Sequence, residues 1–214
     1  MVIIGAAVVL LGFLLFFEKR GNRKGIIPTK TVLSALFIVA AVVQPHPVHR
    51  YFVFVLIGLI FCLGGDVFLA LPQERGFLLG LALFLMGHML YIVAFLQVAS
   101  FAGLARPAVF ATLGISIGVY LWLRPHLGRM HGPVAAYVIV ITVMVCMTWG
   151  LQENQSLDIA GRRLPLIGAI CFYLSDVFVA RDHFLKASFR NRLVGLPTYY
   201  AGQFLLAFSV GLLK

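Results

Sequence analysis

The sequence predicts an all-α membrane protein, a polytopic bundle of about eight transmembrane helices. Of the 214 residues, 62% are hydrophobic and only 11% are charged, which lies outside the range of soluble globular domains. Apolar runs approaching the roughly 20 residues that span a hydrocarbon core recur along nearly the whole chain. We therefore expect a single integral membrane domain covering residues 1–214.

Eight apolar runs are predicted as the spanning helices, with ends fixed only to within about 2 to 4 residues. They are Met1–Phe17, Thr31–Val43, Tyr51–Leu71, Phe77–Ala99, Leu104–Leu123, Pro133–Leu151, Leu164–Ala180 and Leu193–Leu213. The second run is the shortest, so we expect its helix to include Ile26 to Lys30, with the Lys30 ammonium group reaching toward the interface.

The basic residues lie between the apolar runs, so the net charge of +10 indicates topology rather than nucleic-acid binding. One alternate set of loops holds twelve Lys and Arg residues, and the other set holds five. Because short cytoplasmic loops are enriched in Lys and Arg, the larger set is predicted to face the cytoplasm, with both termini outside. The expected location is the inner membrane of a bacterium.

Three ionisable side chains fall inside the predicted spans: Asp66, His88 and Asp176. Such residues are costly in a bilayer and usually face a functional site, although a hydrogen bond that only packs helices is the alternative. On the predicted topology, each aspartate lies about 4 or 5 residues from the cytoplasmic end of its helix, or ~6 to 8 Å at ~1.5 Å per residue. The two carboxyl groups are therefore predicted to share one layer.

Further polar residues converge on this layer and predict a cavity open toward the cytoplasm. Tyr91 follows His88 at i+3, so both lie on one face of the fourth helix. The others are Lys30, Tyr173, Ser175, Tyr199, Tyr200 and Gln203. For His88, Tyr91, Tyr200 and Gln203, a structural hydrogen bond between helices is an equal alternative. Five other aromatic residues are expected in interfacial belts or packing: Tyr51, Tyr120, Trp122, Tyr137 and Trp149.

A weak internal repeat relates the two aspartates. Residues 58–70 match residues 168–180 at six of thirteen positions. The matches include "DVF", which follows Gly65 in the first copy and Ser175 in the second. Four spans separate the copies, so the repeat preserves orientation. We therefore expect a parallel four-plus-four arrangement, with halves at about residues 1–100 and 104–214.

Four segments carry a resemblance to a known family. They are "GAICFYLSDVFVA" (Gly168–Ala180), "YYAGQFLLAFS" (Tyr199–Ser209), "GGDVFLAL" (Gly64–Leu71) and "GHMLY" (Gly87–Tyr91). Together they resemble the YhhN-like lysoplasmalogenase family of eight-span membrane proteins over nearly the whole chain. Lys30, a basic residue near the start of the second span, also resembles the family pattern. The family usually has proline after this lysine, whereas the chain has Thr31. The resemblance implies hydrolysis of the vinyl ether bond of a lysophospholipid, the lysoplasmalogen, to a fatty aldehyde and a glycerophospho-base.

Vinyl ether cleavage is suited to two carboxyl groups. Protonation of the alkene carbon gives an oxocarbenium ion that water attacks, so one carboxyl group acts as the acid while an ionised one stabilises the cation and deprotonates water. Asp66 and Asp176 are the candidate catalytic pair, with acid and base unassigned. The candidates for substrate positioning are Lys30, His88, Tyr91, Ser175, Tyr200 and Gln203, with Lys30 attracting the substrate phosphate.

No cofactor or metal is expected, because only His88 among the six histidines lies deep in a span. The expected partners are the lysophospholipid substrate and membrane lipids, without nucleic acid. A proton-coupled transporter or a lipid-binding membrane protein is the alternative, since intramembrane carboxylates also form proton relays. An intramembrane aspartyl protease fits less well, because its Gly-any-Gly-Asp motif would need glycine at Leu63.

Overall fold

The computed structural model describes residues 2–71 and 74–213. Met1, where the first predicted span begins, lies outside the described residues, as do Pro72, Gln73 and Lys214. Within the described part, the chain forms eight α-helices and no β-strand, so the all-α prediction is confirmed. The helices are α1 (Val2–Arg20), α2 (Arg23–Val42), α3 (His49–Leu69), α4 (Glu74–Leu96), α5 (Pro107–Leu123), α6 (His131–Leu151), α7 (Ile159–Ala180) and α8 (Phe189–Ser209).

Several helices extend beyond the predicted apolar runs. The helix α2 begins at Arg23, seven residues before Lys30, and α7 begins at Ile159, before the arginines at 162 and 163. Backbone hydrogen bonding continues into the interfacial region, where charged side chains reach water, whereas an apolar run marks only the part within the hydrocarbon. The expectation that Lys30 belongs to the second helix is confirmed.

The protein is a multi-pass integral membrane protein. In the described part, seven helices, α1 to α7, are long and apolar enough to cross a membrane. The helix α8 has 21 residues, which is also long enough, but it carries Arg190, Asn191 and Arg192 in its first turn and buries Gln203. The polar side chains of Asn191, Gln203 and Ser209 are buried where α8 packs against α7, α2, α1 and α3, whereas Arg190 is exposed.

Two helix pairs, α3–α4 and α7–α8, are the most closely packed in the protein. In α3–α4, a Cβ atom added to Gly58 would lie 3.2 Å from the Gly87 carbonyl oxygen, and one added to Gly87 would lie 3.1 Å from the Gly58 carbonyl oxygen. In α7–α8, the corresponding distances are 3.1 Å from Gly168 to the Gly202 oxygen and 2.8 Å in the reverse direction. Small residues let the two backbones of each pair touch.

The two pairs meet each other through side chains instead. Phe84 on α4 packs edge-to-face on Phe172 of α7, with ring centroids 5.9 Å apart. The first copy of the sequence repeat lies in α3 and the second in α7, so each pair contributes one of the two aspartates. The duplication itself stays a prediction.

Candidate active site

Asp66 on α3 is held by three side chains from two other helices. Ser34 Oγ on α2 and Tyr199 Oη on α8 each donate a hydrogen bond of 2.6 Å to Asp66 Oδ2. Lys30 Nζ on α2 lies 3.1 Å from Asp66 Oδ1. Because Asp66 is only 1% exposed, this cation and the two hydroxyl donors supply the stabilisation that water would otherwise give a carboxylate.

A directed chain of hydrogen bonds orients the Tyr199 hydroxyl toward Asp66. Tyr91 Oη donates to Gln203 Oε1 at 2.9 Å, and Gln203 Nε2 donates to Tyr199 Oη at 3.1 Å. Tyr199 then uses its own proton for Asp66. Tyr91 and Gln203, two of the predicted positioning residues, are therefore linked to Asp66 only indirectly, by hydrogen bonds that pass through Tyr199.

Tyr200 contacts the partners of Asp66 rather than Asp66 itself. Its hydroxyl lies 3.3 Å from Ser34 Oγ and donates to the Lys30 carbonyl oxygen at 3.5 Å. Tyr200 is 2% exposed, and these contacts join the middle of α2 to α8. Tyr200 is therefore placed to hold Lys30 and Ser34 in position beside Asp66.

Asp176 on α7 has different surroundings. Tyr137 Oη on α6 donates a hydrogen bond of 2.8 Å to Asp176 Oδ2. Among residues 2–71 and 74–213, Asp176 forms no ion pair. The neighbouring Ser175 donates to the Phe172 carbonyl oxygen of its own helix at 2.8 Å, so its hydroxyl is already used.

Both carboxyl groups line one cavity of ≈ 540 Å³ between the two helix pairs. Its inner wall includes Lys30, Asp66, Ser175, Asp176 and Tyr199. Its mouth, at the ends of the helices, has two acidic and two basic side chains: Glu18, Arg23, Asp182 and Arg192. Only part of the predicted polar layer lines this cavity, because His88, Tyr91, Tyr200 and Gln203 are absent from its walls.

A smaller apolar pocket of ≈ 70 Å³ adjoins this cavity and shares Asp176 and Phe84 with it. Its other walls come from α5, α6 and α7 and are mostly aliphatic, with Val119, Val134 and Ile141 among them. Asp176 therefore lies at the boundary between a polar cavity and an apolar pocket.

His88 lies outside the linings of these two cavities. The side chain is fully buried, with its ring 4.4 Å from the Phe172 ring and 5.3 Å from the Tyr137 ring, centroid to centroid. Neither ring nitrogen has a hydrogen-bond partner of normal geometry among the described residues. The interhelical hydrogen bond considered from the sequence is absent there.

Comparison with known proteins gives the same family as the sequence motifs. Residues 26–210 match the YhhN family. The chain belongs to this family. The YhhN match contains every side chain described above for Asp66 and Asp176, from Lys30 to Gln203.

Named relatives of this YhhN-family chain are lysoplasmalogenases. The chain is 29% identical over 178 residues to "Lysoplasmalogenase" of Mycobacterium bovis, covering 78% of the chain and 63% of that protein. It is 36% identical over 148 residues to human "Lysoplasmalogenase TMEM86B", covering 68% and 58%, and 35% identical over 147 residues to the rat protein of that name, covering 68% and 56%. Each match spans less than two thirds of the relative's own length. No solved structure matches the chain significantly.

Sequence analysis missed two polar contacts in this YhhN-family site. The sequence does not single out Ser34, and it predicts Tyr137 in an interfacial belt or in packing, yet Ser34 donates to Asp66 and the Tyr137 hydroxyl donates to Asp176. Tyr137 is 7% exposed, so the packing half of that expectation holds. Neither residue has a sequence signal of its own, because a hydroxyl in an apolar run finds its partner only through helix rotation and packing.

The described residues contain no group of three or more His, Cys, Asp or Glu side chains that could hold a metal ion. The polar groups that line the cavity are carboxyl, hydroxyl, ammonium and guanidinium groups, with the carboxamide of Asn191 and the imidazole of His183.

Proposed function

We propose that this YhhN-family protein hydrolyses the vinyl ether bond of lysoplasmalogens, giving a fatty aldehyde and a glycerophospho-base. One observation carries the proposal: two carboxyl groups in contrasting surroundings line one cavity, Asp66 paired with Lys30 and Asp176 without a cation in the described part. The names of its relatives support the same reaction.

We infer which aspartate is the acid and which is the base from their different surroundings. Asp176 acts as the general acid in its neutral form, because an unpaired carboxylate is costly at this depth and the Tyr137 hydroxyl can donate to the carbonyl oxygen of a carboxylic acid. Asp66 remains ionised beside the Lys30 ammonium group. This division of roles is what protonation of an alkene followed by attack of water requires.

The reaction then proceeds in three steps. The Asp176 proton passes to the alkene carbon farther from the ether oxygen, leaving an oxocarbenium ion. Water attacks the oxygen-bearing carbon while Asp66 takes its proton; because water becomes strongly acidic as it attacks this cation, a carboxylate is a sufficient base. The resulting hemiacetal breaks its bond to the glycerol oxygen, which takes the hydroxyl proton, and water in the cavity returns a proton from Asp66 to Asp176.

The boundary position of Asp176 fits an amphiphilic substrate. With the hydrocarbon chain in the apolar pocket and the glycerol in the polar cavity, the vinyl ether lies at the boundary, beside Asp176. A chain of ordinary length exceeds a pocket of ≈ 70 Å³, so it extends between helices into the lipid.

Aldehyde release from a 1-alkenyl lysophospholipid by purified protein in detergent tests the proposal. We expect Asp176→Asn and Asp66→Asn each to lower kcat at least about 100-fold, in the range of lost acid–base catalysis. Asp158→Asn, an exposed aspartate before α7, is the matched control and should keep full activity. Full turnover by either cavity variant would contradict the mechanism, and binding of the lipid without aldehyde release would favour the lipid-binding alternative.

We further propose that the cavity mouth faces the cytoplasm in a bacterial inner membrane, with the N-terminus outside. The loops beside the mouth hold the basic residues of the larger set, among them Arg23, Lys24 and Arg192. A reporter that is active only in the cytoplasm, fused to the N-terminus, should be inactive. An active fusion would contradict this orientation.

A further inference from the structure

The cavity mouth carries two arginines at a fixed distance from Asp66. Arg23 on α2 lies seven residues before Lys30, and Arg192 on α8 lies seven residues before Tyr199. Lys30 and Tyr199 are both direct partners of Asp66, and residues seven apart share one face of a helix. At ~1.5 Å per residue, the backbone of each arginine lies ~10 Å along its helix from the residue that contacts Asp66.

Lys30 does not supply a free positive charge inside the cavity, because its ammonium group is paired with Asp66. The mouth is different. Arg192 Nη1 lies 3.0 Å from Glu18 Oε2 and Arg192 Nε lies 3.1 Å from Asp182 Oδ2, so these carboxylates offset the charge of Arg192 and hold its guanidinium at the mouth, with Nη2 unused by these contacts. Arg23 forms no ion pair within the described part of the chain.

We propose that Arg23 and Arg192 bind the phosphate of a single-chain glycerophospholipid. The bound phosphate thereby sets how deeply the ether oxygen on C1 of the glycerol enters the cavity. This inference rests on the proposed function for the identity of the lipid. Arginine presents several N–H donors in one plane, which suits phosphate oxygens. The side chain of Arg192 is already held in place, so binding the ligand costs little of its conformational entropy. In this proposal the two arginines replace Lys30, which the sequence predicts as the phosphate contact.

The dimensions of the ligand match those of the site. Seven bonds separate the phosphorus atom from the alkene carbon that is protonated, and an extended chain of bonds of about 1.5 Å spans roughly 9 Å. The backbone positions of Arg23 and Lys30, and of Arg192 and Tyr199, are likewise ~10 Å apart along their helices. A phosphate at the mouth therefore places the vinyl ether at the level of the two carboxyl groups.

Binding of a lipid that cannot be cleaved tests the phosphate site separately from catalysis. The probe is a 1-alkyl lysophosphoethanolamine, whose saturated ether has no alkene to protonate, and the reference is the same 1-alkylglycerol without phosphate. The variant is Arg23→Gln, with Lys24→Gln as matched control, because Lys24 is the next residue of α2, is exposed and does not line the cavity. Binding is followed by isothermal titration in detergent.

The wild type and Lys24→Gln should bind the phosphate-bearing probe at least about tenfold more tightly than the alkylglycerol, the ratio expected from one charge-assisted contact. Arg23→Gln should lose most of this preference. In turnover of the alkenyl substrate, Arg23→Gln should raise KM about tenfold with kcat nearly unchanged, as expected for a contact made equally in the ground and transition states.

Three results would overturn the phosphate site: an unchanged preference in Arg23→Gln, an equal loss in Lys24→Gln, or binding of excess inorganic phosphate at Arg23 that the lipid probe does not displace. The second would indicate general surface charge, and the third would indicate a free anion as the ligand. If the arginine-dependent preference is present but no aldehyde is released from the alkenyl lipid, the phosphate site stands and the proposed hydrolysis fails.

Discussion

The ammonium nitrogen of Lys30 lies 3.1 Å from Asp66 Oδ1, while Asp176 in the same cavity forms no ion pair among residues 2–71 and 74–213. One lysine thus makes two aspartates from similar sequence segments chemically unequal. Since Lys30 is 8% exposed and Asp66 1%, water compensates either charge only in part if the other is removed.

Removal of the cation alone should therefore destabilise the protein. We expect Lys30→Met to lower the free energy of unfolding by about 3 to 5 kcal/mol, the cost of an uncompensated buried charge. The double variant Lys30→Met/Asp66→Asn should recover most of that stability without recovering activity. Thermal unfolding in detergent checks both. Equal stability of Lys30→Met and the double variant would contradict a buried ion pair.

The hydroxyl of Tyr137 should matter for catalysis and little for folding. Tyr137→Phe keeps the ring but removes the hydrogen bond to Asp176, so the acid loses its orientation. We predict a fall in kcat of about 10- to 100-fold with the melting temperature changed by only a few degrees. Tyr120→Phe on α5, whose hydroxyl has no hydrogen bond in the described part, is the control and should behave as wild type.

The buried imidazole of His88 should cost stability. Both of its nitrogens lack a partner of normal geometry among the described residues, and an unsatisfied buried polar group costs about 1 to 3 kcal/mol. We therefore expect His88→Leu to raise the melting temperature, while His126→Leu at an exposed position leaves it unchanged. A clear loss of stability in His88→Leu would mean that a water molecule or ligand satisfies the ring.

The glycine contact between α7 and α8 should be intolerant of a methyl group. In Gly202→Ala the new Cβ would lie 2.8 Å from the Gly168 carbonyl oxygen and 3.1 Å from the Phe172 nitrogen, so the backbones must separate. We predict a loss of about 1 to 3 kcal/mol in unfolding free energy, as for other overpacked sites. Gly114→Ala, where a Cβ meets nothing within 4 Å, should be neutral or slightly stabilising by helix propensity.

The sequence contained enough to predict the helices and the convergence of Asp66 and Asp176, because apolar run length and the cost of a buried carboxylate are local properties. It did not contain the pairing of Lys30 with Asp66, or of Tyr137 with Asp176. Both depend on how each helix rotates about its axis, which is decided by packing against its neighbours. For the same reason, the asymmetry that distinguishes acid from base emerges only in three dimensions.

The reciprocal glycine contacts have a consequence for how a lipid enters. Within α3–α4 and within α7–α8 the backbones touch, so neither pair can be compressed or parted without breaking many contacts. Between the pairs the contacts are made by side chains, such as the Phe84 and Phe172 rings and the hydrogen bond from Tyr199 to Asp66. Each carboxylate then travels with its own rigid unit. Spin labels on α3 and α4 should keep their separation when lipid binds, while labels on α4 and α7 should move apart.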